Sequence, residues 1–76
     1  MLKIGYGNSI NEQHLIAIVS PDSSPVKRMI SDVRDNGMLV DATKGKRTRS
    51  VLVMNSRHIV ISALSCEALA ERRGKA

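Results

Sequence analysis

The stretch MLVDATKGKRTRSVLVM, residues 38–54, decides the fold, because it places an apolar run on either side of a basic segment. The runs at residues 38–41 and 51–55 are short and rich in Val, Leu and Met, which favours strands at this length. Between them lies TKGKRTRS, residues 43–50, which we call the basic loop. The pattern predicts two strands joined by a cationic connection.

The basic loop carries almost all of the chain's excess positive charge. It holds four cations and no acid, and the whole chain has a formal net charge of +5. Focused charge of this sign most often meets the phosphates of nucleic acid. The alternative is a solvated hairpin tip, but the two arginines favour phosphate, which guanidinium groups bind bidentately. The four cations are Lys44, Lys46, Arg47 and Arg49.

Apolar runs on either side of this stretch predict further strands. The runs cover residues 2–6, 15–19 and 58–64. Gly, Asn, Ser or Pro lies at their boundaries. A short C-terminal helix follows within residues 65–76, capped by Ser65 and ended by Gly74. Together these elements predict one α+β domain over residues 1–76, with a small antiparallel or mixed sheet of four to five strands.

One central amphipathic helix completes the predicted fold. Ser24 can cap it, and Pro25 suits its first position, where a missing N–H costs nothing. Asn36 and Gly37 supply the left-handed residue that ends it. Its apolar residues recur with helical spacing and form one stripe, consisting of Val26, Met29, Ile30 and Val33.

Three of the predicted strands are apolar on both faces. A half-exposed antiparallel strand alternates apolar with polar residues, whereas the runs at residues 15–19, 51–54 and 59–61 do not. Two short helices would not cover both faces of such a sheet, so we expect further copies of the chain to cover the rest. The expected state is a homo-oligomer. The alternative is that the helices lie one on each face.

Cysteine content and the pattern of apolar residues indicate the cellular compartment. Cys66 is the only cysteine, which excludes an internal disulfide and a cysteine-cluster metal site and favours a reducing compartment. The first residues lack the basic start and long apolar run of a signal peptide. No apolar run approaches the ~20 residues of a membrane span. We therefore expect a cytoplasmic protein with no membrane partner.

Catalytic and cofactor motifs are missing from the sequence. Gly45-Lys46 lacks the earlier glycine and the following Ser or Thr of a phosphate-binding P-loop. His14, His58 and Cys66 are the conventional nucleophile or base candidates, and nothing in their spacing brings them together. The sequence therefore predicts no enzyme, cofactor, metal site or small-molecule substrate.

Longer motifs resemble a known family. The segments SPDSSPVKRMI (residues 20–30) and DATKGKRTR (residues 41–49), with GYGN (residues 5–8), resemble the RemA-like family, the bacterial extracellular matrix regulatory proteins. The resemblance covers residues 1–65. It implies a small DNA-binding transcription regulator with a role in biofilm matrix regulation. It also implies closed homo-oligomeric rings that engage double-stranded DNA through many protomers.

The resemblance also implies which residues bind DNA. The family's basic pair falls on Lys46 and Arg47, with Arg49 in the same motif. A further arginine of the family falls on His14, which lacks the fixed charge of arginine. Lys44 stands where the family often has an aromatic residue, and it adds a charge there in compensation.

Two other functions stay open. An oligomeric scaffold or protein-interaction module could dock an acidic partner through the same loop. RNA binding is disfavoured, because Tyr6 is the only aromatic residue and base stacking needs several.

Overall fold

Six strands and two helices lie within residues 1–73, the part of the chain that the computed structural model describes. They are β1 (Leu2–Gly5), β2 (Asn8–Ile10), β3 (Leu15–Val19), α1 (Ser24–Asp35), β4 (Leu39–Ala42), β5 (Ser50–Met54), β6 (Ile59–Ser62) and α2 (Cys66–Arg73). A single 3₁₀ turn, Glu12–His14, joins β2 to β3. Gly74, predicted to end the C-terminal helix, lies outside the described residues.

The central sheet is mixed and has four strands, in the order β3-β5-β6-β4. β5 pairs antiparallel with both β3 and β6, while β4 pairs parallel with β6. β1 and β2 form a separate antiparallel hairpin. The predicted α+β class is confirmed, and the mixed sheet has a number of strands within the predicted range.

Helix α1 covers one face of the sheet. Its predicted stripe, Val26, Met29, Ile30 and Val33, packs against Val51, Ile59 and Ile61. The helix ends as predicted: Gly37 has a φ of +73°, and the Met38 N–H donates to the Val33 carbonyl at 2.9 Å. The predicted cap is one residue off. Ser23, not Ser24, is the N-cap, because its Oγ accepts from the Val26 N–H at 3.3 Å.

The opposite face is covered by α2 together with the β1–β2 hairpin. Leu2 and Ile4 from β1 and Leu69 from α2 form one buried cluster with Leu52 and Val60 of the sheet. The helices therefore lie one on each face, which was the alternative, and the hairpin supplies the cover that two helices alone would lack. Ser65 caps α2 as predicted, since its Oγ accepts from the Ala68 N–H at 3.1 Å.

The strand β2 is not among the elements predicted from the sequence, and the first strand is shorter than predicted. Residues Asn8–Ile10 pair back onto β1, so Gly5 ends the first strand and Tyr6 belongs to the turn. A three-residue strand with two polar positions has too little apolar pattern to be recognised before its partner is known.

The connection between β4 and β5 is not a hairpin, so the hairpin geometry of the alternative interpretation of the basic loop is wrong. β4 and β5 do not pair, because β6 lies between them. The loop therefore crosses the end of β6. Parallel pairing of β4 with β6 is a contact between distant segments, which no local turn signal could reveal.

The two edge strands of the sheet each expose an aliphatic side chain. Ile16 is 65% exposed on β3, at a β-bulge between Leu15 and Ala17, and Val40 is 46% exposed on β4. These are opposite edges of the same sheet.

Within residues 1–73, neither helix is long and apolar enough to cross a membrane.

Candidate nucleic-acid interface

The basic loop begins with a tight turn. The Lys46 N–H donates to the Thr43 carbonyl at 3.0 Å, and the two residues between them both have positive φ, +53° at Lys44 and +77° at Gly45. Two successive positive φ angles are the mark of the primed turns, for which glycine at the second position is well suited. Lysine in the first position is strained, so the turn directs its side chain at some conformational cost.

Asp41 fixes the entry to this turn. Its Oδ1 accepts from the Thr43 hydroxyl at 2.6 Å and from the Thr43 N–H at 2.8 Å. Both hydrogen bonds lower the pKa of Asp41 below its ordinary value, and the bond from the Thr43 hydroxyl has the larger effect. The carboxylate is thus held charged at the base of the loop, and Thr43 is buried.

The exit of the loop is fixed by β6. The Arg49 N–H donates to the Ser62 carbonyl at 2.8 Å, and Ser50 is fully buried at the start of β5. With both ends of the loop fixed, the segment between them faces solvent. The exposed cations are Lys44, Lys46, Arg47 and Arg49, the four predicted from sequence.

Within residues 1–73, none of these four cations forms a salt bridge. Among residues 1–73, the side-chain ion pair within 4.0 Å is that of Arg73 with Glu12, at 3.8 Å, and no acid pairs with a cation of the loop. Arg47 and Arg49 line a groove of about 190 Å³ that also contains Pro21 and Asp22 from the segment before α1. Asp22 is the acidic residue in the lining of this groove.

Tyr6 lies beside the loop, although sequence reasoning left it out of the site. The Lys44 Nζ atom is 5.8 Å from the centroid of its ring, within the range of a cation–π contact. The ring is 49% exposed. Tyr6 and Lys44 are distant in sequence and meet only because the missed hairpin packs against the sheet, so no spacing in the sequence could have paired them.

His14 lies away from the other predicted site residues. It precedes β3, and its carbonyl accepts from the Asn55 N–H at 2.8 Å, at the end of β5 opposite the loop. The length of β5 separates them, about 14 Å for five strand residues. Within one chain the structure therefore brings four of the five predicted residues together and leaves His14 apart.

The remaining reactive side chains form no common site in the described part of the chain. His58 contacts the Ser56 hydroxyl at 2.7 Å, and burial raises the pKa of the Cys66 thiol. Cys66 lines a groove on the α2 side with Glu12 and Arg73. Within residues 1–73 no group of three or more His, Cys, Asp or Glu residues is placed to hold a metal ion.

Comparisons with known proteins match nearly the whole chain. The model of the RemA-like family, described as "Extracellular matrix regulatory protein A-like", matches residues 1–72. "Extracellular matrix regulatory protein A" of Bacillus subtilis is 56% identical over 72 residues, which are 95% of this chain and 81% of that protein. A regulatory protein of Carboxydothermus hydrogenoformans is 51% identical over 71 residues, 93% of this chain and 82% of its own length. A third, from Microcystis aeruginosa, is 51% identical over 72 residues, 95% of this chain and 81% of its own.

Proposed function

Because the chain belongs to the RemA-like family, we propose that it is a regulatory protein that binds double-stranded DNA through the basic loop and does so as a homo-oligomer. One of its relatives is named an extracellular matrix regulatory protein. The proposal includes no catalytic step and no cofactor. A role on DNA would place the protein in the bacterial cytoplasm.

The observation that carries the proposal is the exposure of four cations on one loop whose ends are fixed. Lys44, Lys46, Arg47 and Arg49 face solvent, while hydrogen bonds to Asp41 and Ser62 hold the loop at either end. Because the loop is held at both ends, its backbone loses little conformational freedom on binding phosphate. The four cations also favour contacts with the DNA backbone, since arginine and lysine together suit phosphate oxygens.

A single loop would bind weakly, so the proposal requires several copies. Four cations neutralise at most about four phosphates, which is a modest electrostatic contribution at physiological salt. Repeating the loop in a fixed assembly raises avidity without new contacts. The exposed Ile16 and Val40 support such an assembly, because they lie on opposite edges and a contact between opposite edges is heterologous, the type that closes rings.

In this proposal His14 contacts DNA only if the assembly brings it near a neighbour's basic loop. It lies at the opposite end of β5 from the loop of its own chain. A contact between His14 and DNA therefore depends on the arrangement of protomers more than the contacts of the four loop cations do.

A salt titration of DNA binding tests the proposal. With two loops engaged, the loops neutralise about six to eight phosphates and by themselves contribute about −5 to −7 to the slope of log K against log salt. The double variant Lys46→Ala/Arg47→Ala abolishes binding and keeps the oligomer mass. Lys27→Ala/Arg28→Ala is the matched control, since it removes two exposed cations from α1 and leaves binding within a few-fold of wild type.

The same experiment distinguishes the alternative of a scaffold that docks an acidic protein. A scaffold would ignore duplex DNA at moderate salt, and its loop variant would lose an acidic partner in a pull-down instead. Wild-type protein that does not shift a DNA duplex, or a loop variant that binds as tightly as wild type, contradicts DNA binding through the basic loop.

A further inference from the structure

The turn between β1 and β2 holds an aromatic residue in an unfavourable backbone conformation. Gly5, Tyr6 and Gly7 have φ angles of +103°, +54° and +80°. The Asn8 side-chain amide secures the turn, with Nδ2 donating to the Gly5 carbonyl at 3.1 Å and to the Tyr6 carbonyl at 3.4 Å. Glycine or asparagine adopts this conformation at less cost than tyrosine. The turn itself therefore gives no reason for a tyrosine at position 6.

Burial in the core does not explain the tyrosine either. The Tyr6 ring is 49% exposed and belongs to neither apolar cluster of the described residues. It stands instead beside Lys44 of the basic loop, 5.8 Å from its Nζ. A half-exposed aromatic side chain next to a fixed cationic loop is placed to meet the same ligand as the loop.

Ser62 fixes the position of Tyr6 relative to the loop. The Ser62 Oγ donates to the Ile4 carbonyl at 2.8 Å and so holds the hairpin, while the Ser62 carbonyl accepts from the Arg49 N–H at 2.8 Å and holds the loop. The two segments are therefore anchored to one residue of β6. Ser62 is fully buried, so neighbouring atoms restrict the position of its hydroxyl.

A groove with two further cations adjoins the turn. It has a volume of about 420 Å³, and its lining includes Tyr6, Asn8, Lys3 and Arg72. The Arg72 Nη1 atom donates to the Lys3 carbonyl at 3.2 Å, which sets α2 against β1. Lys3 lies on β1 of the same hairpin, and its side chain is exposed.

We propose that Tyr6 contacts DNA directly and that the DNA surface extends past it from the basic loop to Lys3 and Arg72. This inference rests on the proposed function. The phenol ring packs against a deoxyribose, and its hydroxyl donates to a phosphate oxygen, a contact that tyrosine commonly makes in protein–DNA complexes. Lys3 and Arg72 then neutralise phosphates farther along the same strand.

Two substitutions of Tyr6 separate the ring from the turn. Tyr6→Asn removes the ring and keeps a residue that tolerates positive φ, so the turn is preserved. It weakens DNA binding about 50-fold, through the lost packing and the lost hydrogen bond to a charged group. Tyr6→Phe, the matched control, keeps the ring and lacks only the hydroxyl, and weakens binding about tenfold. Both variants keep the wild-type mass in light scattering.

The salt dependence distinguishes the uncharged contact from the charged ones. Tyr6→Asn lowers affinity at every salt concentration and leaves the slope unchanged, because tyrosine releases no counterion. Lys3→Ala, on an exposed side chain, makes the slope shallower by about 0.9 for each engaged protomer. An unchanged slope in Lys3→Ala would overturn the extension of the surface to this groove.

A double variant tests whether Tyr6 acts only by supporting Lys44. If Tyr6 contacts DNA itself, Tyr6→Asn weakens binding as much in a Lys44→Ala background as in wild type. If the second substitution has no further effect, Tyr6 serves only to position the lysine, and the inference fails. Loss of binding in Lys46→Ala/Arg47→Ala with full binding in Tyr6→Asn would overturn this inference and leave the proposed function standing. Wild-type protein that binds no DNA would overturn the proposed function itself.

Discussion

Ser50 and Ser62 face each other across β5 and β6, and their hydroxyl groups are in opposite situations. Both residues are fully buried. The Ser62 Oγ donates to the Ile4 carbonyl at 2.8 Å and accepts from the Leu64 N–H at 3.1 Å. The Ser50 Oγ has no hydrogen-bond partner among residues 1–73. One serine therefore stabilises the fold, whereas the other buries an unsatisfied polar group.

Substituting each serine with alanine should change stability in opposite directions. Ser50→Ala removes an unsatisfied hydroxyl and raises the free energy of unfolding by about 1 kcal/mol. Ser62→Ala leaves the Ile4 carbonyl and the Leu64 N–H without their partner. It lowers the free energy of unfolding by about 1–3 kcal/mol. Urea denaturation of the two variants measures both values. A loss of stability in Ser50→Ala would show that its hydroxyl finds a partner after all.

The hydrogen bonds to Asp41 predict a dependence of stability on pH. Because they lower the pKa of the folded carboxyl, its contribution is complete above about pH 4 and is lost as the pH falls through the lowered value. Asp41→Asn should lower the free energy of unfolding by about 1 kcal/mol at pH 7, a modest effect because the residue is exposed. The difference from wild type should shrink as acid is added. A difference that grows below pH 4 has the wrong sign for this interaction.

His14 offers a test of charge at the end of the sheet opposite the basic loop. His14→Arg adds a fixed cation, so in the proposed assembly it should strengthen DNA binding and make the salt slope steeper by about 0.9 for each protomer engaged. His58→Arg is the control, because His58 precedes β6 at the same end of the sheet. Equal gains in both variants would mean that position 14 has no special access to DNA.

The charged half of the candidate site could be predicted from sequence, and the aromatic half could not. The four loop cations are adjacent in the chain, so their proximity follows from the sequence alone. Tyr6 reaches Lys44 only through the packing of β1 on the sheet, which depends on contacts between distant segments.

Among the elements, α1 was the most predictable, because its apolar stripe repeats with helical spacing over several turns. Its start was off by one residue, since Ser23 and Ser24 are both good caps and only the backbone geometry decides between them. The sequence does not predict the strand β2 or the parallel pairing of β4 with β6, because neither has a local pattern of its own.

The position of the cap can be tested with adjacent substitutions. Ser23→Ala removes the acceptor of the Val26 N–H and should lower the free energy of unfolding by about 1 kcal/mol. Ser24→Ala, one residue later on the exposed first turn, should change it by less than about 0.5 kcal/mol. Thermal or urea denaturation compares the two directly. The reverse order of effects would restore Ser24 as the cap.

At the scale of the whole molecule, the edges of the sheet, not its faces, favour an oligomer. Both sheet faces are covered within one chain, by α1 on one side and by the hairpin with α2 on the other. The faces therefore do not demand a partner. What remains uncovered is the pair of edge strands, with Ile16 on β3 and Val40 on β4. Edge strands offer unpaired backbone groups to another chain.

Lysine at either edge should dismantle the proposed assembly. Ile16→Lys and Val40→Lys each place a charge in the expected contact, so light scattering should show a lower mass with unchanged circular dichroism. DNA affinity should fall by about 100-fold or more as avidity is lost, even though each substitution adds a positive charge. Ser31→Lys on α1 is the control for added charge. A variant that keeps the wild-type mass excludes that edge from the contact.

The crossing of the basic loop over the end of β6 has a practical consequence for engineering. In a hairpin, an inserted residue shifts the alignment of the two strands it joins and turns side chains to the wrong face. Here the alignment of β4 and of β5 is set by β6, to which each is paired separately. Segments of other lengths and compositions can therefore be grafted between residues 43 and 50, which makes the protein a compact carrier for exchangeable recognition peptides.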